Sequence, residues 1–337
     1  MTLRMTAALL CLLPLANADL AAASYVQRDD VRSFVREMEE KHGFDGGELL
    51  SVLDRAQHDA RVISLITPSG APGVRSWQRY RSRFLDETRI RGGLEFWQQH
   101  EPTLQAASER YGVPPEIIVA IIGVETLYGR NTGSFETVSA LATLAFDYPP
   151  RAALFRRELE NLFLLAREQG RDPSSYQGSY AGALGYPQFL PSSIRSYAVD
   201  FDGNGHIDFD ADPADAIGSV ANYLAVHGWQ RDEPVAIPAY VPPGSDPAAL
   251  VAAGIEPTLA PETLAGAGIV AASGDALAAP ATLVDLITPG VGIEYWLGYR
   301  NFYVITRYNK SSFYAMAVHE LAQTLRERHR EAFAASP

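Results

Sequence analysis

Apolar residues recur at three- and four-residue spacing through most of the chain. This period is typical of α-helices that bury one face. Proline, aspartate or glycine stands at the ends of most periodic stretches, where helices commonly begin or stop. The predicted helices cover residues 29–59 in two pieces broken at Gly43 and Gly46-Gly47, then 94–111, 116–127 with a stop at Gly129, 154–168, 212–227 and 312–328.

One stretch, residues 231–292, interrupts the helical pattern. It holds nine of the 22 prolines and a single cation, Arg231. The run from Val235 to Val241 does not follow a helical period. We therefore predict a small insert of short strands and turns inside a mainly α (α+β) fold.

The first residues have the pattern of a secretory signal peptide. Arg4 precedes an apolar run from Ala7 to Leu15, which is too short to span a bilayer. Ala16-Asn17-Ala18 fits the small-x-small cleavage rule and predicts a mature start near Asp19. A lipoprotein signal on Cys11 is the rival interpretation, but leucines precede that cysteine where small residues are expected. We predict a periplasmic protein without a lipid anchor.

Charge and cysteine content exclude several functional classes. The 337 residues include 28 Lys and Arg against 40 Asp and Glu, a formal charge of −12, which argues against nucleic-acid binding. Cys11 is the only cysteine and leaves with the predicted signal, so the mature chain has no disulfide. The sequence contains no HExxH motif, nucleotide-binding fingerprint or Gly-x-Ser-x-Gly motif.

Glu125 is the candidate acid. Ile118, Ile121, Ile122 and Glu125 share one face of the predicted helix, and an apolar setting raises a carboxyl pKa. A carboxyl group that keeps its proton can protonate the leaving oxygen of a glycosidic bond. The alternative is a glutamate that only forms hydrogen bonds at a helix end. No matching second carboxylate of the kind that ordinary glycosidases use is apparent, and Asp147 is a possible candidate without further support. A site with one acid could still work if the substrate supplies the nucleophile.

The run 200–208 predicts a metal loop. Oxygen-bearing side chains occupy its positions 1, 3, 5 and 9, with glycine at position 6, as in the first part of an EF-hand calcium loop. Position 12 is Ala211 instead of glutamate, so Asp212 or Asp215 would have to complete the ligand set. The alternatives are a turn without metal for the loop, and acidic residues of a helix first turn for Asp212 and Asp215.

Two further segments are rich in aromatic and amide side chains, which can contact sugars. Residues 178–193 contain Tyr180, Tyr186, Gln188 and Phe189, and residues 301–314 contain Tyr308, Asn309 and Tyr314. The competing interpretation is that these aromatic side chains belong to the core.

At these residues the chain resembles the membrane-bound lytic murein transglycosylase B family, glycoside hydrolase family 103. The resemblance covers essentially the whole predicted mature chain. It implies a lysozyme-like core at 107–230 completed by 293–314, a helical domain at 19–106 completed by 315–337, and the β-rich insert at 231–292, after a signal peptide at 1–18. The matching segments are 111–119, 122–130, 140–149, 178–193, 197–207, 215–223 and 301–316.

The resemblance also implies an activity. Glu125 would act as acid and then as base, while the C6 hydroxyl of N-acetylmuramic acid attacks its own anomeric carbon. The bond between N-acetylmuramic acid and N-acetylglucosamine would break without water, leaving 1,6-anhydro ends. This chemistry needs no cofactor and no second carboxylate. A hydrolytic muramidase and a non-catalytic scaffold that binds peptidoglycan are the alternative functions.

The resemblance assigns further residues. Ser179 would position Glu125, and the metal ligands would belong to a structural calcium ion. The predicted partners are glycan strands, bound by a monomer. Predicted for glycan contact are Tyr80, Arg151, Ser179, Tyr186, Gln188, Tyr308, Asn309 and Tyr314; for calcium they are Asp200, Asp202, Asn204, His206 through its carbonyl, and Asp215.

The chain departs from the family pattern at three places. Pro150 replaces an arginine before Arg151, and Pro187 replaces the usual glycine before Gln188. One extra residue precedes Asp215. The departures bear on the groove contacts and on Asp215 as a metal ligand.

Overall fold

The structure, a computed structural model, describes residues 24–68, 75–210 and 212–334. The predicted signal peptide and Cys11 lie outside these residues. The α-helices are α1 Asp29–His42, α2 Gly46–Arg55, α3 Ala60–Ile66, α4 Trp77–Arg81, α5 Glu87–Gln99, α6 Glu101–Tyr111, α7 Pro115–Thr126, α8 Thr137–Asp147, α9 Ala152–Glu168, α10 Pro191–Tyr197, α11 Pro213–Val226, α12 Ala248–Ala252, α13 Pro261–Gly266, α14 Arg300–Tyr308 and α15 Ser312–Ala334. The strands are β1 Phe135–Glu136, β2 Gln177–Gly178, β3 Ala236–Tyr240, β4 Val270–Ala271, β5 Thr282–Thr288 and β6 Gly292–Gly298.

Local sequence explains where these helices begin and end. α1 stops at Gly43 in the left-handed conformation, as predicted. Gly46-Gly47, predicted as a break, instead form the first turn of α2, because the Asp45 carboxylate accepts a hydrogen bond from the Glu48 amide there. The stretch predicted as one helix over 94–111 is divided at His100, between α5 and α6.

Backbone contacts divide the chain into two compact units, which meet in sequence at His58 and Asp59. In the first unit, α1 and α2 pack together, and Phe34, Met38 and Leu53 are buried. This division falls inside the predicted helical domain 19–106, whose boundaries stay a prediction.

In the second unit, α7 forms the centre of the core and packs against α5, α6, α11 and α15. Ile118, Ile121 and Ile122 are fully buried, and so is nearly every other residue from Ile117 to Val124. The interpretation of α7 as a helix with one apolar face is therefore wrong, because neighbours cover it on all sides. On α15 the predicted stripe is buried as expected; it comprises Ala315, Val318, Leu321, Ala322 and Leu325.

The second unit also contains a four-stranded antiparallel sheet in the order β4-β3-β6-β5. Its longest pairing joins β5 to β6 from Thr282↔Gly298 to Thr288↔Gly292. The predicted boundary at 292 thus falls at the first residue of β6, and residues 293–298, which were predicted to complete the core, form the rest of this strand. The insert also contains α12 and α13, where only strands and turns were predicted.

The described chain is mainly helical with small sheets, as predicted. Within the described residues, none of the helices combines the length and the apolar character needed to cross a bilayer.

Candidate functional site

Glu125 lies in the last turn of α7 and is partly exposed. The hydroxyl of Tyr314, a buried residue in the first turn of α15, donates a hydrogen bond of 2.6 Å to Glu125 Oε1. These two residues are 189 positions apart in sequence, so only the packing of α15 against α7 brings them together.

Burial raises the pKa of Glu125 to about 7, and the hydrogen bond from Tyr314 partly opposes this rise. The charge of an ionised Glu125 in turn helps to raise the pKa values of Tyr80, Tyr308 and Tyr314. Among the described residues, no carboxylate contributes to the shift of Glu125. The geometry therefore presents a single carboxyl group that keeps its proton close to neutral pH, among three tyrosines.

Tyr80 and Tyr308 lie on helices that are far apart in sequence, α4 and α14. Tyr80, on α4, packs against Phe84 and Phe313 with ring centroids 5.1 and 5.6 Å apart. Tyr308, at the end of α14, stacks on Tyr314 at 6.4 Å and donates a hydrogen bond of 2.5 Å to the carbonyl oxygen of Pro187. The structure thus brings three predicted glycan-contact residues to Glu125.

The turn after Glu125 has an uncommon backbone. Leu127, Tyr128 and Gly129 are all left-handed, with φ of 52°, 60° and 83°. The Thr126 hydroxyl accepts a hydrogen bond from the Gly129 amide at 3.0 Å and lies 3.1 Å from the Tyr186 carbonyl oxygen, to which it donates. A Cβ at Gly129 would lie 2.2 Å from the Tyr186 ring, so only glycine fits there. The helix ends three residues before the predicted stop at Gly129.

Two residues stabilise the C-terminal end of α7, and the sequence analysis did not identify either of them. Arg89 donates from Nε to the carbonyl oxygen of Gly123 at 2.9 Å, where a cation stabilises a helix C-terminus. Tyr128 donates its hydroxyl proton to the carbonyl oxygen of Arg89 at 3.0 Å. Arg89 also forms an ion pair with Asp86 at 2.7 Å. No sequence spacing connects α5 to α7, so these contacts could be found only in three dimensions.

Ser179 and Gln188 form hydrogen bonds with the backbone of nearby turns. The Ser179 hydroxyl accepts hydrogen bonds from the amides of Ala181 and Ala183, at 3.3 and 3.0 Å. Within the described residues it forms no hydrogen bond with Glu125, because it closes its own tight turn. Gln188, which is left-handed at φ 49°, donates from Nε2 to the carbonyl oxygens of Thr132 and Gly185, both at 3.0 Å.

Arg151 and Asn309 are exposed. The Arg151 guanidinium lies over the Phe155 ring, 5.1 Å from its centroid. Within the described residues, neither side chain forms a hydrogen bond with Glu125. Their predicted role, contact with the glycan, therefore stays a prediction.

The predicted metal loop brings three carboxylates together. One oxygen each of Asp200, Asp202 and Asp215 lies within 4.8 Å of the others. Asp215 is buried in the first turn of α11 and accepts hydrogen bonds from the amides of Phe201 and Asp208, at 2.7 and 2.8 Å. The extra residue before Asp215 therefore does not remove it from the cluster.

Backbone amides and burial set the charges of this cluster. Amides of the loop, above all that of Gly205, keep the pKa of Asp200 below its usual value. Burial raises the pKa of Asp215, and the charge of Asp202 adds to the rise. No ion pair to these three carboxylates occurs within 24–68, 75–210 and 212–334. Hard oxygen donors without a cationic side chain fit a calcium ion.

Other loop residues have structural contacts. Asn204 Oδ1 accepts a hydrogen bond from the His206 amide at 2.8 Å, and the His206 side chain is exposed. Asp208 accepts from the Asp210 amide at 2.7 Å. Asp212 caps α11 by accepting from the Ala214 amide, so of the two predicted closing residues only Asp215 joins the cluster.

Comparisons with known proteins agree with this geometry. The family described as "Transglycosylase SLT domain" matches residues 27–323. Membrane-bound lytic murein transglycosylase B of Escherichia coli is 42% identical over 322 residues, which cover 93% of this chain and 87% of that protein. The structure is also similar to catenated lytic transglycosylase SltB1 from Pseudomonas aeruginosa, with a TM-score of 0.84, 46% identity and coverage of 90% and 99% of the two chains. The Escherichia coli lytic transglycosylase Slt35 in complex with calcium has a TM-score of 0.81, 42% identity and coverage of 92% and 95%.

Proposed function

The chain belongs to the transglycosylase SLT domain family and is a lysozyme-like peptidoglycan lytic transglycosylase. We propose that Glu125 performs the cleavage as its single acid and base. One observation carries the proposal. Glu125 has a pKa raised to about 7, and no carboxylate among the described residues contributes to that rise. An acid without a carboxylate partner favours a reaction in which the substrate supplies the nucleophile.

In the first step, protonated Glu125 gives its proton to the glycosidic oxygen between N-acetylmuramic acid and N-acetylglucosamine. The bond from the anomeric carbon to that oxygen breaks, and N-acetylglucosamine leaves with a new hydroxyl group. Positive charge develops at the anomeric carbon. A carboxyl group half ionised near pH 7 is well matched to this transfer.

In the second step, the ionised Glu125 accepts the proton of the C6 hydroxyl of the same N-acetylmuramic acid. That hydroxyl oxygen bonds to the anomeric carbon and closes the 1,6-anhydro ring. Glu125 regains its proton, so no water is consumed and the enzyme returns to its starting state.

The hydroxyl of Tyr314 positions Glu125 in both steps. It donates to Oε1, which stabilises the ionised carboxylate between the steps and leaves Oε2 for the substrate. Tyr80 and Tyr308 stay protonated, since their pKa values are raised. The Tyr80 hydroxyl can donate a hydrogen bond to a sugar hydroxyl, whereas the Tyr308 hydroxyl already donates to the carbonyl oxygen of Pro187 and can accept one. We keep Arg151, Ser179, Tyr186, Gln188 and Asn309 as proposed glycan contacts.

Product analysis tests this mechanism. Purified protein should release fragments with 1,6-anhydro ends from sacculi, detected by mass spectrometry. Reducing ends would instead indicate the hydrolytic muramidase. Binding to sacculi without release of soluble fragments would indicate the non-catalytic scaffold, and either result would overturn the proposed step.

We also propose a structural calcium ion at the 200–215 loop. Asp200, Asp202 and Asp215 would hold it with their carboxylates, together with Asn204 and the carbonyl oxygen of His206. The convergence of three carboxylates and the calcium complex of Slt35 support this proposal. The ion would offset most of the negative charge of the cluster and fix the loop against α11, and it would take no part in cleavage.

We also propose that the protein is exported from the cytoplasm. Peptidoglycan lies outside the cytoplasm, so residues 1–18 would direct the chain there and be removed. We propose a periplasmic monomer that acts on glycan strands, with no nucleic-acid partner.

A further inference from the structure

A cavity of about 450 Å³ lies in the same unit as Glu125, between α4, the β5–β6 hairpin and α15. Its volume lies in the range of small-ligand sites. Two contacts connect its walls. The Gln78 amide donates a hydrogen bond of 3.2 Å to the Thr288 hydroxyl, and Arg81 pairs with Glu320. These contacts join α4 to the hairpin and to α15, so the cavity is already formed without a ligand.

The lining has the chemistry of a sugar site. Trp296 is a partly exposed aromatic ring in the lining, which can stack on a pyranose. Gln78 and Gln323 supply side-chain amides, which both donate and accept hydrogen bonds. The Thr288 hydroxyl accepts from the Gln78 backbone amide and can donate to a ligand, whereas the Thr324 hydroxyl donates to the carbonyl oxygen of Glu320 and can accept. A few polar groups in a cavity with an aromatic wall are typical of a site for a small polar ligand.

Charge narrows the choice of ligand. The lining contains one cation, Arg81, and this residue is paired with Glu320. Glu294 and Glu327 add two more carboxylates, which would repel the carboxylate groups of muramic acid and of peptides. The same carboxylates accept hydrogen bonds from uncharged sugar hydroxyls. A neutral sugar therefore fits better than an acidic sugar or a peptide terminus.

The cavity is also close to the catalytic site along α4. This helix has five residues and spans about 8 Å at 1.5 Å per residue. Tyr80 interacts electrostatically with Glu125, whereas Gln78 and Arg81 line the cavity. Tyr80 and the cavity-lining residues Gln78 and Arg81 therefore belong to one short helix.

We propose that this cavity binds a neutral N-acetylhexosamine unit of the glycan strand, away from the bond that is cleaved. The proposal rests on the chain's action on peptidoglycan but not on the role of Glu125. The site would lower the KM for long strands by adding a contact that short fragments cannot make.

Titration with N-acetylglucosamine tetramer tests the site directly. The full chain with Glu125→Gln is used, so that binding is measured without cleavage. The tetramer should shift the indole N–H resonance of Trp296, which is assigned by its loss in Trp296→Phe. Trp296→Ala should weaken the affinity about tenfold, and Trp296→Phe should keep most of it. Tyr240→Ala, an exposed aromatic on β3 of the same sheet, is the matched control and should bind as the parent does.

Kinetics on intact sacculi supply the second measurement. In the otherwise native chain, Trp296→Ala should raise the KM several-fold with little change in kcat, and Tyr240→Ala should change neither. An indole resonance that does not move, or equal affinity in Trp296→Ala, would overturn the proposal. A shift caused by stem peptide without sugar would overturn it in favour of a peptide site. Residual cleavage by Glu125→Gln would contradict only the proposed acid.

Discussion

The protein uses acidic side chains in two opposite ways. At the end of α7, Glu125 is a single carboxyl group among tyrosines, and burial raises its pKa to about 7. In the loop before α11, three carboxylates converge within 4.8 Å, and backbone amides keep the pKa of Asp200 low. An isolated, desolvated carboxyl group keeps its proton near neutral pH, whereas a cluster of ionised carboxylates attracts a cation.

Removing the acid gives the largest expected effect. Glu125→Gln preserves the size of the side chain and its ability to accept the hydrogen bond from Tyr314, but it cannot transfer a proton. We expect kcat on sacculi to fall by about 10³-fold or more. Release of soluble fragments measures this. Glu116→Gln, in the first turn of the same helix, is the control and should retain activity. Activity in Glu125→Gln close to that of the control would mean that another residue is the acid.

Removing the cation tests the other region. If the free calcium concentration is about a hundred times the dissociation constant, calcium binding stabilises the fold by about 3 kcal/mol. Chelation should then lower the Tm by roughly 5–10 °C. Asp202→Asn should abolish the response to chelator, and calorimetry measures both. Asp210→Asn, an exposed aspartate outside the cluster, should respond as the parent does. A Tm that chelation leaves unchanged in the parent would contradict the calcium site.

The raised pKa of Glu125 should make the free energy of unfolding depend on pH. In the folded protein the pKa of Glu125 is about 7, above the usual 4.5 of a glutamate side chain. Its contribution to stability is therefore fully present below about pH 4.5 and is lost as pH rises through 7. Glu125→Gln should raise the free energy of unfolding by about 1–3 kcal/mol at pH 8 and by little at pH 4. Denaturant unfolding at both pH values measures this, and an equal effect at both would contradict burial as the cause.

The smallest expected effect concerns the hydrogen bond to Glu125. Tyr314→Phe removes the donor that lowers the Glu125 pKa, so this pKa should rise by about one unit. The alkaline limb of kcat/KM, where Glu125 loses its proton, should move upward by the same amount, and kcat should fall several-fold. The pH–rate profile measures both changes. A reduced rate with an unmoved limb would mean that Tyr314 only supports packing.

The sequence predicted these two regions unequally well. The Asp200 loop was predicted from spacing alone, because its ligands lie close together in the chain. Glu125 was predicted from the helical period, although the structure shows α7 buried on every side. Arg89 and Tyr314 could not be predicted as supports of this site from local pattern, since they meet α7 only through tertiary packing.

Two local backbone arrangements were not visible in the sequence. The Ser179 hydroxyl, expected to position Glu125, accepts hydrogen bonds from two amides of its own turn. The β-rich insert was predicted to end at 292, and β6 continues to Gly298 because β5 pairs along its whole length. The role of Ser179 and the domain boundaries stay predictions.

The left-handed turn after Glu125 has a consequence for how the enzyme becomes active. Leu127 and Tyr128 each hold a conformation that costs about 1 kcal/mol in an isolated chain. The turn is therefore unfavourable in the unfolded chain and depends on α5, whose Arg89 carbonyl receives the Tyr128 hydroxyl. A newly made or partly unfolded chain lacks this support and also lacks the Tyr314 contact. The backbone turn and the side-chain contact around Glu125 therefore form together, when α5, α7 and α15 pack.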